Sequence, residues 1–263
     1  MPILNLDDIK LYYEIQGAGD PLLLIHGMGS SSRDWELQVG FFSQQYRVIV
    51  FDVRGHGKSD KPPGPYSIPL FTADTAKLLQ DLNASPAHIL GISMGGMIAF
   101  QMAIDYPALV KSLLIVNSTP ELIPRTLEDR WHMWQRLLIV RLLGMRKMGE
   151  VLGDRFFPEP EQEPLRTIFA DRWAENDKPA YLETMKGVFG WSVANQLSEI
   201  RSPTMILGSE GDYFPVEEKE AYVKKIPGAK LTVIKNARHG LPAEKPEIFN
   251  AVVAEFLAGL IGG

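Results

Sequence analysis

Six short, nearly unbroken apolar runs punctuate the chain. They are Pro21-Leu22-Leu23-Leu24-Ile25-His26, Arg47-Val48-Ile49-Val50-Phe51-Asp52, Ala87-His88-Ile89-Leu90, Ser112-Leu113-Leu114-Ile115-Val116, Thr204-Met205-Ile206-Leu207 and Leu231-Thr232-Val233-Ile234. Runs this short, without polar alternation, predict strands covered on both faces. An earlier segment, Ile9 to Ile15, alternates in part and predicts a strand with one wetter face. Helical spacing predicts helices over Thr72 to Leu82, Met94 to Asp105, Glu217 to Lys225 and Pro246 to Leu260. Strands alternating with helices predict an α/β fold with a mostly parallel sheet. Crossovers in such a sheet are right-handed, and ligands gather at the carboxyl ends of its strands.

Residues 119–198 break that rhythm. They hold no strand-like apolar run and read as helical, with Trp131, Trp134, Leu137, Leu138, Leu142 and Leu143 in one stretch and Trp173, Tyr181, Phe189 and Trp191 in another. The expected organisation is a core made of residues 1–118 and 199–263, with a helical cap of residues 119–198 between them. A cap over the strand ends excludes water and shapes a pocket. If Trp131 and Trp134 stand outward instead, the cap offers a docking face.

Composition narrows the function. The 263 residues are 45% hydrophobic and 22% charged, with a net charge of −5. That balance suits a globular domain and lacks the basic footprint of a nucleic-acid partner. No window has the roughly 18 uninterrupted apolar residues that a membrane span needs. The N-terminal residues carry neither a basic nor an apolar signal-peptide region, so the cytoplasm is the expected compartment. The absence of cysteine excludes disulfides, thiolate catalysis and cysteine metal sites.

Candidate chemistry centres on Ser93. It sits in Gly91-Ile92-Ser93-Met94-Gly95, after an apolar run and before a helical one. A serine between glycines at a strand-to-helix corner is a nucleophile elbow: the backbone turns sharply, and the following helix points N–H groups at the oxygen under attack. Serine needs a base, and the base an orienter. His239 is the only histidine after the cap segment; His26 and His56 lie in early turns, His88 starts the serine's own strand, and His132 is in the cap. Asp212 follows the Thr204–Leu207 run in a glycine-containing turn and is the expected acid, with Glu210 its near competitor. The backbone N–H groups of Met94 and of Met28, in His26-Gly27-Met28-Gly29, are the expected oxyanion donors. This chemistry requires no metal and no cofactor.

Five pieces in order give the chain its resemblance: His26-Gly27-Met28-Gly29 with Trp35; Asp52-Val53-Arg54-Gly55-His56-Gly57-Lys58-Ser59; Gly91-Ile92-Ser93-Met94-Gly95-Gly96; Ile200 and Pro203 leading to Gly208 and Asp212; and Arg238-His239-Gly240 with Glu244 and Pro246. The chain resembles an α/β-hydrolase-fold protein over about residues 8–260, nearest in kind to small serine esterases and enol-lactonases. The resemblance implies an eight-stranded sheet with strand 2 antiparallel, a helical cap after strand 6 and a Ser–His–Asp triad. It implies that His56 shapes a turn rather than reacts. Relatives that are haloalkane dehalogenases or epoxide hydrolases use an aspartate where this chain has Ser93. The leading expectation is hydrolysis of a small carboxylic ester or lactone. The alternatives are carbon–carbon hydrolysis of a ring-fission diketone, and a small-molecule receptor or regulatory protein on the same fold. Gly240-Leu241 departs from the tryptophan that often follows the base in carbon–carbon hydrolases. The sequence leaves oligomeric state open.

Overall fold

The computed structural model describes residues 2–6 and 8–260. Its strands are β1 Ile3–Asn5, β2 Lys10–Gln16, β3 Pro21–Ile25, β4 Arg47–Phe51, β5 Ala87–Ile92, β6 Val110–Val116, β7 Thr204–Ser209 and β8 Lys230–Ile234. All eight join one sheet in the order β1-β2-β4-β3-β5-β6-β7-β8. β2 runs antiparallel to both of its neighbours, and β4 through β8 are mutually parallel. The seven segments read as strands are all strands. β1, which completes the eight, is only three residues long and carries no run of its own.

The helices are α1 Glu36–Phe42, α2 Ile68–Asp81, α3 Met94–Asp105, α4 Leu127–Phe156, α5 Glu163–Ala174, α6 Lys178–Val188, α7 Val216–Val223, α8 Leu241–Glu244 and α9 Pro246–Gly259. The two-residue period of a strand explains the unbroken apolar runs. Leu23, Ile25, Ile49, Ile89 and Leu113 pack with α2 and α3 on one face. Their neighbours Leu22, Leu24, Val48, Leu90 and Leu114 pack with Phe42 of α1 and Phe249, Val253 and Leu257 of α9 on the other. α2 starts at Ile68, four residues before the expected Thr72. Pro69 reads as a breaker in sequence, but in the first turn its missing N–H has no intrahelical partner to lose. The Ser67 hydroxyl caps that turn, accepting from the Leu70 N–H at 3.2 Å.

Between β6 and β7 the chain forms α4, α5 and α6. Thr126 and Asp129 cap α4 reciprocally, and Gly144 (φ 87°) breaks it into two helical segments. Met145, Met148, Leu152 and Phe156 pack against Trp173, Tyr181 and Met185 as a small core of their own. Trp131 and Trp134 face outward, 57% and 52% exposed.

The corner between β5 and α3 is the tightest point of the fold. A Cβ on Gly91 would lie 2.1 Å from the Gly95 carbonyl oxygen, and one on Gly95 would lie 2.2 Å from that of Ile25. Both obstacles are backbone, so neither can swing aside. Gly95→Ala is expected to lower stability by about 3 kcal/mol. Gly40→Ala, in α1 with nothing within 4 Å of the new methyl, should instead raise it by about 0.5–1 kcal/mol. Urea midpoints with unchanged slopes would check both.

Candidate active site

Ser93 is the residue that turns the corner. Its backbone lies at φ 54°, ψ −120°, a conformation that costs a non-glycine residue roughly 1–3 kcal/mol and persists only where the surroundings impose it. Here they do. The Ser93 N–H donates to the Val116 carbonyl at 3.0 Å, and the Ser118 hydroxyl donates to the Ser93 carbonyl at 2.7 Å. Met94 is the first residue of α3, so its N–H has no carbonyl one turn back. Met28 lines the same cavity as Ser93. Among the described residues neither N–H is given to a protein acceptor.

Asp212 follows β7, and His239 lies between β8 and α8. The His239 Nδ1–H donates to Asp212 Oδ1 at 2.6 Å, which leaves Nε2 as the ring's acceptor. The second carboxylate oxygen takes the Lys219 Nζ at 2.7 Å. Both of those side chains are fully buried, and the ammonium also donates to the Phe214 carbonyl. Burial pushes the Asp212 carboxyl up, but the charges and hydrogen bonds of His239 and Lys219 outweigh it and hold the group below the usual carboxylate range. Glu210 is exposed and accepts from the Asn236 N–H at 2.9 Å, which engages it with the neighbouring turn. Asn117, wholly buried at the end of β6, ties the two loops together. Its side-chain amide donates to the carbonyls of Arg238 at 3.1 Å and His239 at 3.0 Å, and its oxygen accepts from the Ser209 N–H at 2.8 Å.

Ser93 and His239 do not touch directly. The Tyr213 hydroxyl stands between them, 3.3 Å from Ser93 Oγ and 3.0 Å from His239 Nε2. The tyrosine ring lies over the imidazole, with centroids 4.1 Å apart and planes 28° apart. Burial, reinforced by the Asp212 charge, pushes its phenol up to about 12, so the hydroxyl keeps its proton at neutral pH.

The remaining histidines serve the scaffold. His26 accepts from the Val53 N–H at 3.0 Å and donates to the Gly27 carbonyl at 2.7 Å. His56 donates to the Arg54 carbonyl at 3.0 Å, and burial drives its pKa down to about 3. His88 meets Ser112 at 2.7 Å, and His132 lies on the surface beside Glu128. Among the described residues no group of three or more His, Cys, Asp or Glu could hold a metal ion, and no helix is long and apolar enough to cross a membrane.

The cavity above Ser93 is roofed from the insertion by Arg136, Leu152 and Phe156 of α4 and by Phe169 and Trp173 of α5. The expected Ser93, Asp212 and His239 are brought together through the Tyr213 hydroxyl, and Met28 lines the same cavity as Ser93. Sequence reasoning did not reach Tyr213, Lys219 or Asn117. Tyr213 had one signal, its place directly after the expected acid. Lys219 had a fainter one: it is the only lysine in an eight-residue helix otherwise flanked by glutamates.

Comparison with known proteins places this architecture. The model of the alpha/beta hydrolase fold matches residues 20–246. A protein named for carbamate hydrolysis, RutD of Azorhizobium caulinodans, is 28% identical over 97% of this chain and 98% of its own length. The 3-oxoadipate enol-lactonase 2 of Acinetobacter baylyi is 27% identical over 95% of this chain and 94% of its own. Among solved structures, a thermophilic esterase from Thermogutta terrifontis superposes with a TM-score of 0.87 at 26% identity, covering 96% of this chain and 94% of that one. The enol-lactonase of Burkholderia xenovorans gives 0.90 at 23%, covering 98% and 100%, a likeness of fold. The sheet order, the elbow at Ser93 and these matches together make the chain a member of the α/β-hydrolase fold family.

Proposed function

We propose that the protein is a serine hydrolase that cleaves a small carboxylic ester or lactone through an acyl-enzyme. The observation that carries this reading is the ordered pair Asp212–His239, 2.6 Å apart, facing a strained serine across one tyrosine hydroxyl. Ser93 Oγ attacks the carbonyl carbon and its proton passes to His239 Nε2. Asp212 keeps the ring in the correct tautomer and stabilises the imidazolium. The Met28 and Met94 N–H groups hold the oxyanion. Collapse expels the alkoxide, which takes the proton from His239. Water then repeats the sequence on the acyl-enzyme, giving acid and free serine. The helical insertion acts as the cap that excludes water from these steps. Relatives named for lactone, carbamate and ester cleavage support this range of substrates.

Tyr213 is read as a gate rather than a relay. Its hydroxyl occupies the Nε2 position that Ser93 Oγ must reach, at 3.0 Å, so it has to leave before the serine can give its proton to the ring. Substrate entering the cavity moves the hydroxyl aside and lets Ser93 meet His239. The outward-facing Trp131 and Trp134 favour the second reading, a receptor on the same fold. Slow turnover of every ester, together with ligand-dependent capture of a partner, would favour it over hydrolysis.

Ser93→Ala is expected to lose ~10³-fold or more in turnover of p-nitrophenyl acetate or butyrate; equal rates for both proteins would remove the nucleophile. Tyr213→Phe is expected to turn over at least as fast as the native protein, and a hundredfold or greater loss would make the tyrosine a proton carrier instead. Lys219→Met removes one partner of a buried ion pair and is expected to cost about 3 kcal/mol at pH 7. The folded state depresses the Asp212 pKa, so the stability it contributes is present above about pH 4 and fades as pH falls through the folded value. Urea midpoints from pH 7 to pH 3 should therefore show the native and variant proteins converging in acid.

A further inference from the structure

We infer that Arg136 is a carboxylate socket, and that the natural substrate is an ester or lactone that also carries a free carboxylate. For the bond that is cleaved, this rests on the hydrolase reading; for the socket itself, it does not.

Arg136 belongs to α4 and lines the cavity that holds Ser93 and His239. It is half-buried. Its Nε donates to the Tyr181 hydroxyl at 2.5 Å, and its guanidinium carbon lies 5.6 Å from the Tyr181 ring and 5.8 Å from the Trp173 ring. Tyr181 is itself buried in α6 and packs edge-on against Trp173 at 5.5 Å. One N–H thus fixes the direction of the head. Among the described residues the two terminal nitrogens have no hydrogen-bond acceptor, and no carboxylate oxygen lies within 4.0 Å of the guanidinium.

A cation drawn partly out of water without a counter-charge destabilises the fold. Three arginines of the same insertion are paired, Arg125 with Glu121, Arg146 with Asp171 and Arg172 with Glu36, while Arg130, Arg141 and Arg155 stand exposed to water. Arg136 is left with a fixed head and free N–H groups in the cavity that also holds Ser93. Among the described residues the one carboxyl lining the same cavity is Asp34. It is engaged elsewhere, accepting from the Ser30 hydroxyl and lying 3.9 Å from Arg172, and burial pushes its pKa up.

The geometry selects the anion. Two parallel N–H groups of a guanidinium match the two oxygens of one carboxylate. Among the described residues no second arginine or lysine lines this cavity, so a phosphate dianion would be left half-neutralised by the socket. The walls around the head are aromatic, from Phe156, Phe169 and Trp173, and their low polarity strengthens a charge pair formed between them. A carboxylate seated there would anchor the far end of a substrate while its ester carbonyl meets Ser93.

The test uses the full chain and two independent readouts. Hydrolysis of the monoethyl and diethyl esters of succinate, glutarate and adipate is followed by pH-stat. Native protein is expected to prefer the half-ester of the best-fitting length by about 30- to 100-fold in kcat/KM. Arg136→Gln is expected to collapse that preference through KM, while Arg130→Gln, on the exposed side of the same helix, leaves the ratio intact. Thermal unfolding is measured alongside with free succinate, glutarate and adipate. The dicarboxylates should raise the Tm of native and Ser93→Ala protein alike, and not that of Arg136→Gln. Equal kcat/KM for half-ester and diester, or a Tm shift that survives in Arg136→Gln, would overturn the socket. A Tm shift that depends on Arg136, with no turnover of any ester, would keep the socket and sink the hydrolase reading instead.

Discussion

One buried carboxylate holds the site together. Asp212 receives His239 on one oxygen and Lys219 on the other, and both of its partners arrive from segments later in the chain. An isolated carboxylate in that position would neutralise rather than ionise. The two cation-forming partners keep it charged, and the charge in turn dictates which imidazole nitrogen carries the proton. Lys219 therefore has a consequence beyond packing. It fixes the carboxylate plane, so that only Oδ1 is left for the ring, and it draws the phenylalanine carbonyl two residues after the acid into the same network. The Tyr213 backbone lies between those two anchored points.

The sheet explains how such distant residues meet. Ser93, Asp212 and His239 each follow the carboxyl end of a parallel strand, β5, β7 and β8. β5 and β7 flank β6, and Asn117 at the end of β6 bonds to both later loops. The central strand thus supplies no reactive group and instead spaces its two neighbours. The strain stored at Ser93 is tolerable because the same corner is over-determined: two glycines lie against backbone oxygens, and the Ser93 peptide is bonded on both sides.

What the sequence made legible follows from what is local. The apolar runs mark strands because a strand buried on both faces has no polar position to interrupt it, and the elbow is legible because its glycines, serine and helix lie in five consecutive residues. The pairing of Asp212 with His239 was legible from chain order along the sheet, and the two side chains do meet. The rest depends on contacts that no spacing encodes. Lys219 sits in a glutamate-rich helix, and only the packing of α7 under the end of β7 turns its side chain inward to Asp212. Tyr213 reads as an ordinary turn residue until His239 arrives beneath its ring. The short edge strand β1 and the early start of α2 were hidden for simpler reasons: three residues carry no period, and Pro69 has the same letter whether it opens a helix or ends one.

The insertion changes the electrostatics of the cavity as well as its shape. The core contributes a polar floor, with Ser93, His239 and, among the described residues, two N–H groups given to no protein acceptor, which the proposed hydrolysis would use for charge that appears only during reaction. The insertion contributes aromatic walls and one permanent positive charge, Arg136, whose aim is set by a tyrosine from a different helix of the same insertion. A transient negative charge at the floor and a standing positive charge in the roof share one enclosed space. On the proposed reading the roof charge would act on the ground state, through the anion it holds, and the floor on the transition state. In the proposed reaction that division would let the insertion vary in what it binds without disturbing the core, with Tyr213 linking the two, within reach of the Arg136 charge on one side and of Ser93 and His239 on the other.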